Sequence, residues 1–121
     1  MIEQRRGPTA PERPKTYLWE ILVPGQTQGG EEIPVSHHQV WDENVRNISG
    51  GLTILKTAKG HWVDPEGIPI VEPMIPVRVL CSKAQIEEIA ALTASYYQQE
   101  AVMFYRVSKK VKIRHFPQTT L

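Results

Sequence analysis

Gly60-His61-Trp62 and, ten residues after the tryptophan, Glu72 followed by Arg78 hold side chains of the kinds that move protons or grip ligands. Histidine ordinarily titrates at about 6.5 and so can serve as a general base at neutral pH. With a hairpin turning near 65–67, His61 and Glu72 fall nearly opposite one another across two strands. A His61–Glu72 pair beside the Arg78 guanidinium would suit proton transfer on a small anionic ligand. Trp62, Arg78 and Glu20 accompany it as ligand-binding candidates. A structural reading competes at each position: Glu72 pairs with Arg78 or caps backbone freed by prolines, His61 lies exposed, and Trp62 packs. On that reading Trp62→Ala costs about 3–5 kcal/mol, as loss of a buried aromatic does, and His61→Ala leaves the fold intact.

The other chemically capable residues read more plainly. His37 and His38 are adjacent, and neighbours on a helix point about 100° apart, which is poor geometry for sharing one ion. His38 and Asp42 are four residues apart and could share one, but two ligands make a weak site, and H-E-x-x-H spacing is missing. No metal centre is expected. Cys81, the single cysteine, cannot form an internal disulfide. It directly precedes a helix start, where packing against Ile86 accounts for it as a buried thiol. The chain has no G-x-S-x-G, Walker loop, G-x-G-x-x-G or C-x-x-C, so serine-hydrolase, P-loop and dinucleotide readings lack motif support, and no cofactor is expected.

These residues must be positioned by a regular alternation of elements. Residues 1–15, with Gly7, Pro8, Pro11 and Pro14, read as a flexible arm. In KTYLWEILVPG, Tyr17, Trp19, Ile21 and Val23 share one strand face, opposite Leu18, Glu20 and Leu22. Ser36 with Gln39, and Ser82 with Gln85, are capping boxes that open two helices. The first buries Trp41, Val45 and Ile48 and stops at Gly50-Gly51. The second presents Ile86, Ile89, Ala90, Thr93 and Tyr97 along one face. Between them, GLTILKT turns at Ala58-Lys59-Gly60 and is followed by HWVDPEG and IPIVEPMIPVRVL. Pro69, Pro73 and Pro76 in the last place it at an edge, at a bulge, or paired only from about Met74. AVMFYRVSKKVKI closes the sheet. The order strand, helix, strand, strand, helix, strand predicts an α+β fold: a ferredoxin-like βαββαβ sandwich, a four-stranded antiparallel sheet with two helices on one face. The single domain spans 16–115, with a tail over 116–121. The other sheet face, carrying Glu20, Leu22, Met74, Arg78 and either Phe104 or Tyr105, is half apolar, and a homodimer through that face is expected.

The order Gly51-Leu52-Thr53, Gly60-His61-Trp62, Glu72 and Gln99-Glu100-Ala101-Val102 resembles an uncharacterised bacterial family known only as a domain of unknown function. The resemblance covers roughly 17–107. It implies a ferredoxin-like fold and no particular activity, and the chain departs from it in the proline-rich stretch 65–76 and in its basic C-terminus.

Length and composition bound the function. The 121 residues suit one domain. No apolar run is long enough to span a membrane, and 1–15 lacks the apolar core of a secretory signal; a cytoplasmic location is expected. The net charge of +1 conceals an asymmetry. The span 106–121 carries Arg106, Lys109, Lys110, Lys112 and Arg114 with no acid, whereas 17–105 is net acidic. A basic C-terminus could meet nucleic acid, but the interleaved aromatics of single-strand binders are sparse there. The preferred function is a homodimeric interaction or small-ligand-binding module. The alternatives are a cofactor-free isomerase or lyase using His61 and Glu72, and a nucleic-acid accessory protein using the basic C-terminus.

Overall fold

The strict alternation after Lys15 becomes the central element of the sheet. The structure, a computed structural model, describes residues 14–119, so the expected arm lies almost wholly outside the described residues. The elements run β1 (Tyr17–Pro24), α1 (Val35–Ser49), β2 (Thr53–Ile54), β3 (Ala58–Val63), β4 (Pro69–Cys81), α2 (Lys83–Tyr96) and β5 (Phe104–Ser108). The sheet order is β2-β4-β1-β5, with β3 also pairing β4, and every pairing is antiparallel. β2 lies opposite Arg78 and Val77, and β3 opposite 69–74, so the two are one strand position interrupted at 55–57. Five strands thus fill the four positions expected of a βαββαβ α+β sandwich.

The prolines of β4 explain the interruption. In an antiparallel strand a residue's N–H and C=O point to the same side. The Pro76 carbonyl accepts from Leu55 N–H at 2.9 Å, so its missing N–H faces the break between β2 and β3. The Pro73 carbonyl accepts from Gly25 N–H at 3.0 Å, beyond the end of β1, where no ladder donor is required. β4 therefore runs unbroken for 13 residues through Pro73 and Pro76, because both point their absent donors at a gap.

The expected turn at Ala58-Lys59-Gly60 is instead part of β3. The reversal lies at 64–67, where Asp64 Oδ1 accepts from Glu66 N–H at 2.9 Å and Ile68 N–H at 2.8 Å, and Gly67 takes φ 81°. Gly60 serves a different need: a Cβ there would meet the Trp62 ring at 2.8 Å. The glycine is a seat for the indole rather than a corner.

The helices differ at their starts. α2 has its full capping box, Gln85 N–H donating to Ser82 Oγ at 3.2 Å and Ser82 N–H to Gln85 Oε1 at 3.0 Å. Gln85 Nε2 also donates to the Ile48 carbonyl at 2.9 Å, joining the start of α2 to the end of α1. The box expected at Ser36 does not form. Ile33 is held in the core and Pro34, at φ −60°, becomes the N-cap, so the helix begins before Ser36 can act. Gly50, left-handed at φ 89°, stops α1 as the sequence predicts.

Both helices cover one sheet face. Trp41 and Val45 of α1 and Ile86, Ile89, Ala90 and Thr93 of α2 are buried against Trp19, Ile21, Val23, Val77, Val79 and Cys81. Full burial of each large side chain contributes ~1.5–3 kcal/mol. Trp62 is only partly buried and stands outside this core, against the packing role expected of it. No helix of the described residues is long and apolar enough to cross a membrane.

Candidate ligand-binding groove

Hairpin register decides the fate of the proton-transfer pair. Gly60 lies opposite Glu72, and His61 opposite Val71. Strand side chains alternate between faces, so an offset of one residue puts two groups on opposite sides of the ribbon. His61 faces one way, exposed, with Lys59 and Val63. Glu72 faces the other way with Trp62, Ile70 and Met74. The structure does not bring His61 and Glu72 together.

It brings Glu72 to a different set of partners. At the Pro24 end of β1, reaching from the helix-free face round to Thr93 of α2, a groove of 610 Å³ opens among Leu22, Trp62, Glu72, Met74, Glu100 and Met103, with Gln28 and Gln99 also in its lining. Its origin is local. Leu22 N–H still donates to the Met103 carbonyl at 3.0 Å, but past that point β1 continues to Pro24 while the chain of 97–102 diverges from it. Gln98, at φ 55°, bends that connection, and Gln28 Nε2 donates to its carbonyl at 3.1 Å, fixing one wall. The opposite wall is the Trp62 ring, folded over Gly60 towards Met74. The floor is apolar, and the charged residues lining the groove are Glu72 and Glu100. Such a site favours an apolar or planar body carrying positive charge.

The remaining predicted site residues sit beside the groove rather than in it. Arg78 Nε donates to Glu20 Oε1 at 3.1 Å. Glu20 is 7% exposed although it lies on the helix-free face, next to Tyr105 in register. Arg78 is therefore neutralised by its own neighbour. The guanidinium that the sequence assigns to a small anion is thus paired within the sheet, and the charged lining of the groove is acidic. Tyr105 takes the helix-free face, while Phe104 packs on the core side with its ring 6.3 Å from that of Trp19.

The two histidines of α1 belong to a clamp between the helices. His37 stacks on Tyr96 at 4.2 Å, and Tyr96 Oη donates to the His37 carbonyl at 2.8 Å. His38 Nδ1 meets Tyr97 Oη at 2.6 Å. Burial pushes the Tyr97 phenol up, so its hydroxyl stays protonated beside the imidazole. Burial also lowers His38 against the opposing pull of Asp42, and burial raises Asp42. No cluster of three metal-ligating side chains occurs among the described residues. Cys81 is fully buried and its thiol is pushed up to about 11 by burial, which suits packing and not nucleophilic attack.

Glu100, Met103 and Gln28 join the site although no residue type or spacing of their own marks them in the sequence. One signal was present: Gly60-His61-Trp62, Glu72 and 99–102, which carried the family resemblance, supply Trp62, Glu72, Gln99, Glu100, Ala101 and Val102 to this one groove.

No family model matches the chain, and no curated protein matches it in sequence. Solved structures match it in fold. A phage SAM lyase in complex with S-methyl-5'-thioadenosine superposes with TM-score 0.62 at 10% identity, over 84% of this chain and 88% of that one. The CutA1 protein of Oryza sativa gives 0.61 at 6% identity, over 81% and 83%. The divalent cation tolerance protein CutA1 of Thermus thermophilus gives 0.57 at 7% identity, over 84% and 87%. At these identities the common property is the fold, and the chain is a ferredoxin-like α+β protein of the same architecture.

Proposed function

We propose that the protein is a small-ligand-binding module whose groove receives a molecule with an apolar or planar body and a positive charge, and that it works as a homo-oligomer through the helix-free sheet face. The observation that carries the ligand reading is the meeting of Trp62, Glu72 and Glu100 around an apolar floor of Leu22 and Met74. An indole face and two carboxylates in one half-enclosed site attract a cation electrostatically, and the floor receives its apolar part. The phage structure of the same fold is named for a lyase of S-adenosylmethionine, a sulfonium cation, and holds S-methyl-5'-thioadenosine, the uncharged thioether. That pair makes a discriminating probe set. Calorimetric titration should show S-adenosylmethionine binding more tightly than S-methyl-5'-thioadenosine, and Glu72→Gln should remove most of the difference. Equal binding of the two, or no effect of Glu72→Gln, refutes the charge preference.

A second reading, lyase activity on such a sulfonium, is favoured by the two carboxylates in one groove. It is tested by release of S-methyl-5'-thioadenosine from S-adenosylmethionine, with Glu72→Gln and Glu100→Gln as controls. The oligomer reading rests on the apolar exposure of the helix-free face, where Met103 is 57% and Tyr105 41% exposed.

A further inference from the structure

The C-terminal segment has the composition that the groove selects. Beyond β5, residues 109–119 form neither strand nor helix and lie exposed. Val111 and Ile113 alternate there with Lys110, Lys112 and Arg114, and Phe116 follows. This is the pattern of an extended strand with one apolar and one basic side. Ile113 and Phe116 are 67% and 68% exposed, a large apolar exposure for a free segment. Among the described residues β5 pairs only with β1, leaving its outer edge open there.

The groove is the complement: an apolar floor with Glu72 and Glu100, at the end of the molecule that also carries Glu31 and Glu32 in the loop after β1 and Asp64 and Glu66 at the hairpin turn. The segment starts far from its own groove. β5 ends at Ser108, opposite Leu18, whereas the groove opens at the other end of β1, at Leu22 and Pro24.

We infer that the groove of one copy receives segment 109–116 of a second copy, Val111 and Ile113 on the Leu22 and Met74 floor and the basic side chains against Glu72 and Glu100. This rests on reading the groove as the binding site, and names the occupant built into the chain. Groove and segment are different surfaces, so the contact is head to tail rather than two-fold. Such contacts close into rings of more than two copies or continue as filaments. On this inference the homo-oligomer is a cyclic assembly rather than the expected homodimer, and the segment and a small cationic ligand compete for the groove.

The test uses full-length chains, with mass read by light scattering after size exclusion and folding checked by thermal melts in circular dichroism. Wild type should run as an assembly of more than two copies. Val111→Asp with Ile113→Asp, and separately Glu72→Lys with Glu100→Lys, should each weaken assembly about tenfold or more while remaining folded. Adding Lys112→Glu and Arg114→Glu to the groove variant should restore it, which a merely misfolded groove would not allow. A monomeric wild type overturns the inference, as does an assembly unchanged by the segment substitutions. Loss of nucleic-acid binding with unchanged mass in the segment variant also overturns it, assigning the segment to nucleic acid. Failure of S-adenosylmethionine to bind, with assembly responding as stated, counts against the ligand reading alone.

Discussion

Trp41 and Trp62 should respond differently to truncation, and the difference can be worked from their surroundings. Trp41 is 1% exposed, and its Nε1 donates to Thr93 Oγ1 at 3.0 Å inside the core. Trp41→Ala removes a fully buried indole, about 3–5 kcal/mol with the cavity included. It also strands an acceptor on Thr93, whose own hydroxyl still donates to the Ile89 carbonyl at 2.6 Å, so the added penalty is at the low end of ~1–3 kcal/mol. Trp62 is partly buried on a two-stranded hairpin, with its ring resting on Gly60 and Met74. Trp62→Ala forfeits part of one side chain's burial, about 1–2 kcal/mol. The assay is urea unfolding followed by far-UV circular dichroism, which does not depend on the tryptophan removed. Trp41→Ala should lose at least twice the stability that Trp62→Ala loses, while Trp62→Ala should weaken ligand binding. Equal losses, or a larger loss for Trp62→Ala, would refute the placement of Trp62 at a binding surface outside the core.

Arg78→Ala leaves the largely buried Glu20 carboxylate uncompensated and should cost about 1–3 kcal/mol, reduced from the fully buried case because Arg78 is 42% exposed. The double variant Glu20→Leu with Arg78→Leu should recover most of it in the same unfolding assay. Cys81 should resist a disulfide exchange reagent at pH 8 in the native state and react stoichiometrically on unfolding; fast native labelling would contradict its burial. His38 has a folded pKa below its ordinary 6.5. The unfolded chain therefore binds more protons between those two values, and stability rises with pH through that window and is lost below it. Asp42, raised above 3.8, has the opposite sign at lower pH, where the folded state binds more protons. Melting temperature should therefore climb as pH rises from about 5 to about 7, and His38→Gln should flatten that climb.

What the sequence disclosed followed from periodicity. β1, both helix bodies, the buried face Ile86, Ile89, Ala90, Thr93 and Tyr97, and the order βαββαβ all express local repeats that burial then rewards. What stayed hidden depended on register and long-range pairing. The hairpin turns at 64–67, close to where the sequence places it, yet His61 and Glu72 are one residue out of step, and one residue suffices to change faces. Ser36 looks like a cap until Pro34 claims the position. The helix clamp of His37 and His38 with Tyr96 and Tyr97 joins residues 59 apart, which no local pattern connects. Glu100 reaches the groove because Gln98 bends the chain after α2, and a single glutamine with positive φ leaves no trace in hydrophobic spacing.

The groove as binding site is tested most directly by mapping backbone amide shifts during titration with S-adenosylmethionine. Saturable shifts should be confined to residues around Leu22, Trp62, Glu72, Met74 and 99–103, and should be lost when Glu72→Gln and Glu100→Gln are combined. Shifts centred on Glu20 and Arg78, or on the exposed face of His61, or no shifts in a folded protein, would contradict it.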